Sequence, residues 1–385
     1  MYSNYNIFLE NIPEEGYTTI YNLYTKNMIC LKNDMVYDQS YSERVKNKMK
    51  ALGIIVEDEA AETKKVVADF ENVINDKKTL NITLVLTGKC NCHCVYCYEN
   101  EFDLSFNKYE NVSDTIAIIE EKMKDYSKLV VTFFGGEPLL CKDAIDLFSH
   151  IFHKKYGNKY KFAVITNATL LNKIDTQRWQ KLGLTCLKIT LDGNHESHNR
   201  RRPLKNNEDS YEKILSNLAD ISGLEKIEII IVIVVDPLIE GISEMIEAVK
   251  NIGIEAQYCI SIREPDNYSI IEKSNILLDC ASNIKATGSF QFSKIATNHG
   301  DICCGKMKNT YIIDGVGNVY SCTGMLNKPL GNIKEGLHKN NGFIKDKCMK
   351  CKYLPICYGD CLFINKCEKD YFDYFVPKWL ALFIQ

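Results

Sequence analysis

Cysteine spacing constrains this chain more than any other feature. The stretch Thr87-Gly-Lys-Cys90-Asn-Cys92-His-Cys94-Val-Tyr-Cys97 follows the strand-like run Leu80–Leu86 and places four cysteines within eight residues. Cys90, Cys94 and Cys97 stand in the spacing C-x3-C-x2-C. A tight loop with that spacing can turn three thiolates toward one iron–sulfur cluster and leave one iron without a protein ligand. The open iron is then a place for a substrate or cofactor to bind. Cys92 falls outside the three-ligand spacing and is expected to be a bystander. Structural zinc is the competing reading of the loop, because cysteine pairs at short spacing often hold it.

The remaining cysteines weigh metal against disulfide. The chain has 17 in 385 residues: four in 90–97, eight in 303–367, and five scattered ones at Cys30, Cys141, Cys186, Cys259 and Cys280. Clustering at short intervals favours metal sites over long-range staples. The N-terminus lacks a basic segment followed by an apolar one, so the chain reads as cytoplasmic, where disulfides are rare. The scattered cysteines lie in apolar surroundings, and most are expected to be ordinary buried residues. A net charge of −3 argues against nucleic acid as a partner. The longest apolar run, Ile229–Val235, is too short to cross a bilayer and fits a buried strand.

Residues 1–79 read as a small α+β leader. Strand-like pieces at 6–9, 18–24 and 28–31 precede helical stretches around 42–52 and up to about 75, an order that suits a winged-helix-like unit. Such a unit either caps one end of the main domain or docks a peptide on an exposed strand edge; the residues favour neither. From 80 to 262 strands are expected at 82–86, 129–134, 162–166, 186–191, 227–235 and 256–262. Helical periodicity fills the gaps, roughly 112–124, 142–154, 171–182, 209–221 and 241–252. Six apolar strands with helical crossovers predict an α/β fold, a partial (βα)6 barrel.

Chemistry in such barrels sits at the C-terminal strand ends, and the motifs fall there. The cysteine loop follows the first strand and Gly135-Gly136-Glu137-Pro138 the second. Asn167-Ala-Thr-Leu follows the third, and Thr190-Leu-Asp192-Gly the fourth, with His198 and Arg202 beyond. Paired glycines admit a close backbone approach that a Cβ would block. A Gly-Gly-Glu-Pro alone is more often a turn. Motifs at successive strand ends, downstream of the cysteine loop, are a different matter.

Together these residues resemble the radical S-adenosylmethionine (radical SAM) superfamily over 80–262. The resemblance implies a [4Fe–4S] cluster on Cys90, Cys94 and Cys97, with Tyr96 among the cofactor contacts. S-adenosylmethionine would chelate the open iron through its amino and carboxylate groups. Gly135, Gly136, Glu137 and Pro138 would line the methionine amino group, and Asn167, Thr190 and Arg202 would lie near the ribose or carboxylate. A reductant such as flavodoxin or ferredoxin would drive cleavage to a 5′-deoxyadenosyl radical that abstracts a substrate hydrogen.

A bridging segment, 263–300, holds an expected helix over 269–286, and residues 301–385 carry the second cysteine field. Ile312–Cys322 reads as a β-hairpin with a glycine turn. Cys348, Cys351, Cys357, Cys361 and Cys367 follow; in isolation they would read as a zinc ribbon. Beside the superfamily core, the order resembles the SPASM extension, which holds two auxiliary iron–sulfur clusters. It implies Cys304, Cys322 and Cys361 for the first, and Cys348, Cys351, Cys357 and Cys367 for the second. The fourth ligand of the first is Cys303, His299 or none. The aromatic tail from 370 is expected to pack back onto the barrel.

Enzymes of this kind mostly modify peptides or proteins. The resemblance therefore points to a maturase that cross-links a ribosomally made peptide through a thioether or carbon–carbon bond. An anaerobic sulfatase-maturating enzyme, forming formylglycine from Cys or Ser, is the runner-up. A non-catalytic iron–sulfur electron carrier or zinc-stabilised scaffold is the alternative of another class.

Overall fold

Alternating strands and helices wrap one long sheet in a computed structural model that describes residues 1–97, 109–262, 268–288, 303–339, 344–359 and 367–384. Cys361 and His299 lie outside the described residues. The leader opens with an antiparallel sheet of β1 (Asn6–Glu10), β2 (Tyr17–Asn22) and β3 (Met28–Lys32), in that order. Helices Asn33–Asp38, Glu43–Ala51 and Glu59–Ile74 follow. Ser42 and Asp58 start the last two by accepting first-turn backbone N–H groups. Ile20, Ile29, Leu31, Val36, Met49 and Ile54 give this unit a small core of its own. Tyr5, Ile7 and Leu9 join the larger core of the remaining chain.

The main sheet is built from β4 (Thr79–Val85), β5 (Lys128–Phe134), β6 (Tyr160–Thr166), β7 (Leu184–Thr190), β8 (Glu228–Val235) and β9 (Ala256–Ile262), neighbours in that order and all parallel. Helices Val112–Lys122, Lys142–Tyr156, Lys173–Lys181, Ser210–Ile221 and Ile242–Asn251 lie on the connections. This is the expected six-stranded α/β half-barrel. The sheet then runs on: β10 (Thr310–Asp314) pairs parallel with β4, and β11 (Asn318–Tyr320) and β12 (Gly331–Asn332) follow antiparallel, making nine strands. The hairpin of the second cysteine field thus extends the barrel sheet.

Strand alternation sorts the side chains. Leu80, Ile82, Leu84, Val131, Phe133, Phe162, Ile231 and Ile233 are buried in the large core. At about 1.5–3 kcal/mol for each fully buried aliphatic or aromatic side chain, this row holds the sheet to its helices. The other face carries Thr83, Thr132 and Ala163 in register, then Ile165, Lys188, Ile230, and Thr190, Val232, Cys259. These side chains are half-buried or exposed, so the concave face is an open, mixed-polarity trough.

Period two also corrects an expectation about the scattered cysteines. Only Cys186 and Cys280 are buried; Cys141 is intermediate, and Cys30 and Cys259 are exposed. Their apolar sequence neighbours belong to the opposite strand face, as the alternating burial of β3 and β9 makes plain. The tail forms the helix Lys369–Ile384, burying Tyr371, Phe375 and Trp379 in a ring stack with centroids 5.1 and 5.4 Å apart. It packs against the helix Ile270–Ala286 and β1. Among the described residues no helix is long and apolar enough to cross a membrane.

Candidate functional site

Beyond β4 the chain stays paired with the segment beyond β5. Leu86 N donates to Phe134 O (2.8 Å), Gly136 N to Thr87 O (2.9 Å) and Glu137 N to Lys89 O (2.8 Å). The glycines allow this. A Cβ on Gly135, at φ +138°, would meet Thr87 O at 2.4 Å, and one on Gly136 would meet Lys89 O at 2.4 Å. What the paired glycines admit most closely is the backbone that leads into the cysteines.

Glu137 is fully buried, and its carboxylate faces the chain's own donors. It accepts from Leu139 N (2.9 Å), Thr166 Oγ1 (2.6 Å) and Asn167 N (2.7 Å). Burial pushes its pKa up despite those bonds. Pro138 opens a short 3-10 turn just beyond. Asn167, held by Glu137, reaches into the cysteine loop: Nδ2 lies 2.9 Å from Asn91 Oδ1, 3.2 Å from Cys92 Sγ and 3.8 Å from Cys90 Sγ.

A strap closes the third side. Residues 201–205 leave the short helix His195–Arg201 and run antiparallel to the loop. Val95 N donates to Arg201 O (3.0 Å), His93 N to Pro203 O (2.8 Å) and Lys205 N to Asn91 O (2.9 Å). Sequence reasoning missed this strap, which has no local signature.

Beneath it lies a buried charged network. The Tyr96 hydroxyl donates to Asp192 and accepts from Arg202 Nη1 (2.6 Å). The Arg201 and Arg202 guanidinium groups lie 5.1 and 5.8 Å from the Tyr96 ring centroid. Arg201 pairs with Asp236 and donates to Val234 O at 2.6 Å. Arg202 Nε is buried with no hydrogen-bond partner. Burial, aided by the two arginines, holds His198 well below the usual histidine range. Thr190, at the end of β7, stands on the concave face apart from this network.

Cys92 is buried, with its thiol against the sulfurs of Cys90 and Cys94. Hydrogen bonds from Cys92 draw both neighbours toward the thiolate, and Arg202 adds to this at Cys94. Cys92 itself is pushed up and stays a thiol. Among the described residues no three His, Cys, Asp or Glu side chains converge on a single metal ion. The donor chemistry nonetheless fits an iron–sulfur site. Cys90, Cys94 and Cys97 are partly exposed at one strand end, two of them drawn toward the thiolate, beside the unpartnered Arg202 Nε.

The second field divides into two groups. Cys303 and Cys304 precede β10 and Cys322 follows β11, so the hairpin brings the three together; the Cys304 thiol bonds to both neighbours' sulfurs, which push it up. Lys339, absent from the expected site residues, joins them: Nζ donates to Cys304 O (2.6 Å) and Thr310 O (2.9 Å). Burial pulls Lys339 down to about 8, against the opposing pull of the cysteines. Cys348, Cys351, Cys357 and Cys367 line one small pocket with Tyr353, Leu354 and Phe372.

Residues 84–260 match the model of the radical SAM superfamily. The first relatives matched are covered over only a third to under half of their length, among them the Fe-coproporphyrin III synthase of Methanosarcina barkeri (26% identity; 37% of this chain and 35% of that protein). Longer matches exist. The cysteine-type anaerobic sulfatase-maturating enzyme of Clostridium novyi is 25% identical over 71% of this chain and 85% of its own. The radical SAM cyclopropyl synthase TigE of Paramaledivibacter caminithermalis is 22% identical over 75% of this chain and 69% of its own. Two solved structures share the fold. Native anSMEcpe with bound AdoMet and the Cp18Cys peptide gives a TM-score of 0.58 at 17% identity over 80% of this chain and 100% of its own. Streptococcus suis SuiB bound to precursor peptide SuiA gives 0.53 at 15% identity over 94% of this chain and 95% of its own. The strand-end cysteine loop, the glycine pair and most of the parallel half-barrel fall within the matched stretch, so residues 84–260 are a radical SAM domain, a kind of domain that uses a [4Fe–4S] cluster and S-adenosylmethionine.

Proposed function

We propose that this chain is a peptide maturase that takes a hydrogen atom from a ribosomally made peptide and closes a thioether or carbon–carbon cross-link. The N-terminal unit carries this reading. The anSMEcpe structure covers 80% of the chain, and the fifth left over is close to the size of residues 1–79. SuiB with its precursor peptide covers 94%, which leaves too little uncovered to omit that unit. Within the unit β3 is one of the two edge strands, paired on one side by β2. Its other edge has backbone donors and acceptors suited to a peptide added as a strand.

Once bound, the cluster and S-adenosylmethionine supply a hydrogen-abstracting radical. In this reading Cys90, Cys94 and Cys97 hold the cluster, and the backbone of Gly135–Pro138 lines the methionine amino group. Arg202, with its unpartnered Nε, is assigned to the cofactor carboxylate; Asn167, Thr190 and Tyr96 complete the surroundings. The trough along β5–β9 receives the peptide. Closing a thioether removes two hydrogens from it. One leaves as the abstracted atom, and the other as a proton with one electron passed to an acceptor. Cys304, Cys322 and Cys361, and the set Cys348, Cys351, Cys357 and Cys367, are assigned to auxiliary clusters that take that electron. Flavodoxin or ferredoxin is the assigned source of the reducing electron.

The test uses the full chain, loaded anaerobically with iron and sulfide and supplied with dithionite, S-adenosylmethionine and a panel of short cysteine-bearing peptides, including any encoded beside its gene. The expected products are 5′-deoxyadenosine and a peptide lighter by two hydrogens per cross-link, both abolished by Cys90→Ala, Cys94→Ala and Cys97→Ala together. A fully loaded chain that makes no 5′-deoxyadenosine with peptide present would sink the enzyme reading. The sulfatase-maturase alternative is favoured by 25% identity over 325 residues. Formylglycine formed in a sulfatase peptide, with no cross-link in the cysteine-bearing peptides, would establish it instead.

A further inference from the structure

Lys339 lies in Leu337-His338-Lys339, a run that reads as an ordinary surface loop. Its side chain instead turns inward to bond Cys304 O at 2.6 Å and Thr310 O at 2.9 Å. These two bonds tie the turn that carries Cys303 and Cys304 to the first residue of β10. The sulfur of Cys304 rests against those of Cys303 and Cys322 in the same place. An ammonium has three N–H donors. Two are used on carbonyls, and among the described residues the third has no acceptor and no carboxylate pairs with the charge. A cation in a largely buried position needs a counter-charge, and the carbonyl that holds Nζ at 2.6 Å belongs to Cys304, one of the assigned cluster ligands.

We propose that Lys339 is a positioning residue that gives a compensating positive charge to an iron–sulfur cluster held by Cys304 and Cys322, raising its reduction potential. This rests on the auxiliary-cluster assignment made above. Reduction adds one negative charge to a cluster, and a fixed cation stabilises that state more than the oxidised one. Net charge and hydrogen bonds to sulfur are among the main levers on such potentials. Cross-link closure releases one electron from the peptide, and a centre of higher potential accepts it more readily. A lysine that merely braced the turn would leave the potential unchanged.

The experiment removes the contribution of the first loop by working in the full chain with Cys90→Ala, Cys94→Ala and Cys97→Ala. Iron and sulfide are counted after anaerobic reconstitution, and reduction is followed by electron paramagnetic resonance against electrode potential. Lys339→Met is expected to move one transition to lower potential by at least tenfold in the reduced-to-oxidised ratio, about 59 mV for one electron. Lys339→Arg is expected to leave it within half of that shift. Equal iron content with no transition moved overturns the role of Lys339 and leaves the clusters standing. Loss of iron from both variants reduces Lys339 to a brace and overturns it too. A background chain that holds no iron and sulfide overturns the cluster assignment itself, and this inference with it.

Discussion

Replacing Glu137 separates what the Gly135–Pro138 segment does through its side chain from what it does through its backbone. The carboxylate is fully buried, with Oε1 accepting from Leu139 N and Thr166 Oγ1 and Oε2 accepting from Asn167 N. Glu137→Ala orphans three buried donors, each at about 1–3 kcal/mol. Part of that is offset, because burial pushes the Glu137 pKa up and removing the carboxylate relieves its desolvation. The net expectation is about 3–5 kcal/mol, at the upper end for single substitutions. Glu137→Gln keeps Oε1 and its two donors but turns an amide N–H toward Asn167 N, orphaning one donor at about 1–3 kcal/mol. Against a total stability of about 5–15 kcal/mol, both variants are expected to fold, Glu137→Ala with the smaller margin. Urea unfolding followed by fluorescence reads the difference, since Trp179 and Trp379 are both buried. The damage is also expected to reach the cysteine loop, because Asn167 loses its anchor and its Nδ2 touches Asn91, Cys90 and Cys92. Affinity for S-adenosylmethionine should fall in the same order, wild type, Gln, Ala. An alanine variant within about 1 kcal/mol of wild type, or a glutamine variant as damaged as alanine, refutes the clamp.

Gly136→Ala places a Cβ 2.4 Å from Lys89 O, so the cysteine loop must move. The expected result is lost cofactor cleavage with an unchanged far-ultraviolet spectrum; wild-type cleavage would mean the two loops have slack. His198 gives a pH test. Its folded pKa is depressed, chiefly by burial, so its contribution is intact above the unfolded value near 6.5 and is lost as pH falls below it. From pH 7.5 to 5.5 the wild type should lose about 1.4 kcal/mol more than His198→Gln. Equal losses in urea titrations at the two pH values would contradict a buried neutral imidazole.

Periodicity makes the half-barrel legible, because each strand's contribution to the core repeats within its own few residues. Ile229 to Val235 reads as a buried strand whatever surrounds it, and the spacing of Cys90, Cys94 and Cys97 marks a loop whose proposed ligands are close in sequence. Features set by pairing between distant segments are not legible in this way. Nothing local in Thr310–Asp314 says that it lies beside β4. Nothing in Arg201–Lys205 says that it straps Asn91–Val95. Arg201 and Lys339 look like surface cations, and their burial depends on Asp236 and on the Cys303–Cys304 turn, both distant in sequence. The exposed Cys30 and Cys259 show the same limit from the other side. Local apolar composition predicts burial only when the face is known.

Register along β4 also bears on how the two ends of the molecule divide the chemistry. Thr310 pairs with Asn81 near the start of β4, and Tyr320 pairs with Ile312 on the returning strand. Cys322, two residues past Tyr320, is therefore near the level of Asn81, and Cys304 lies beside it. Cys90, Cys94 and Cys97 follow the opposite end of the same strand, past Leu86. Five residues at about 3.3 Å each separate the levels by roughly 17 Å. No single side chain spans that distance, so a residue attacked beside the first loop cannot also be bonded at the Cys304 group. An extended peptide of about five residues can cover the interval. Under the proposed assignment of an auxiliary cluster to Cys304 and Cys322, this separation suits a group that takes an electron better than one that grips the reacting residue, and a fixed cation such as Lys339 would act in that role.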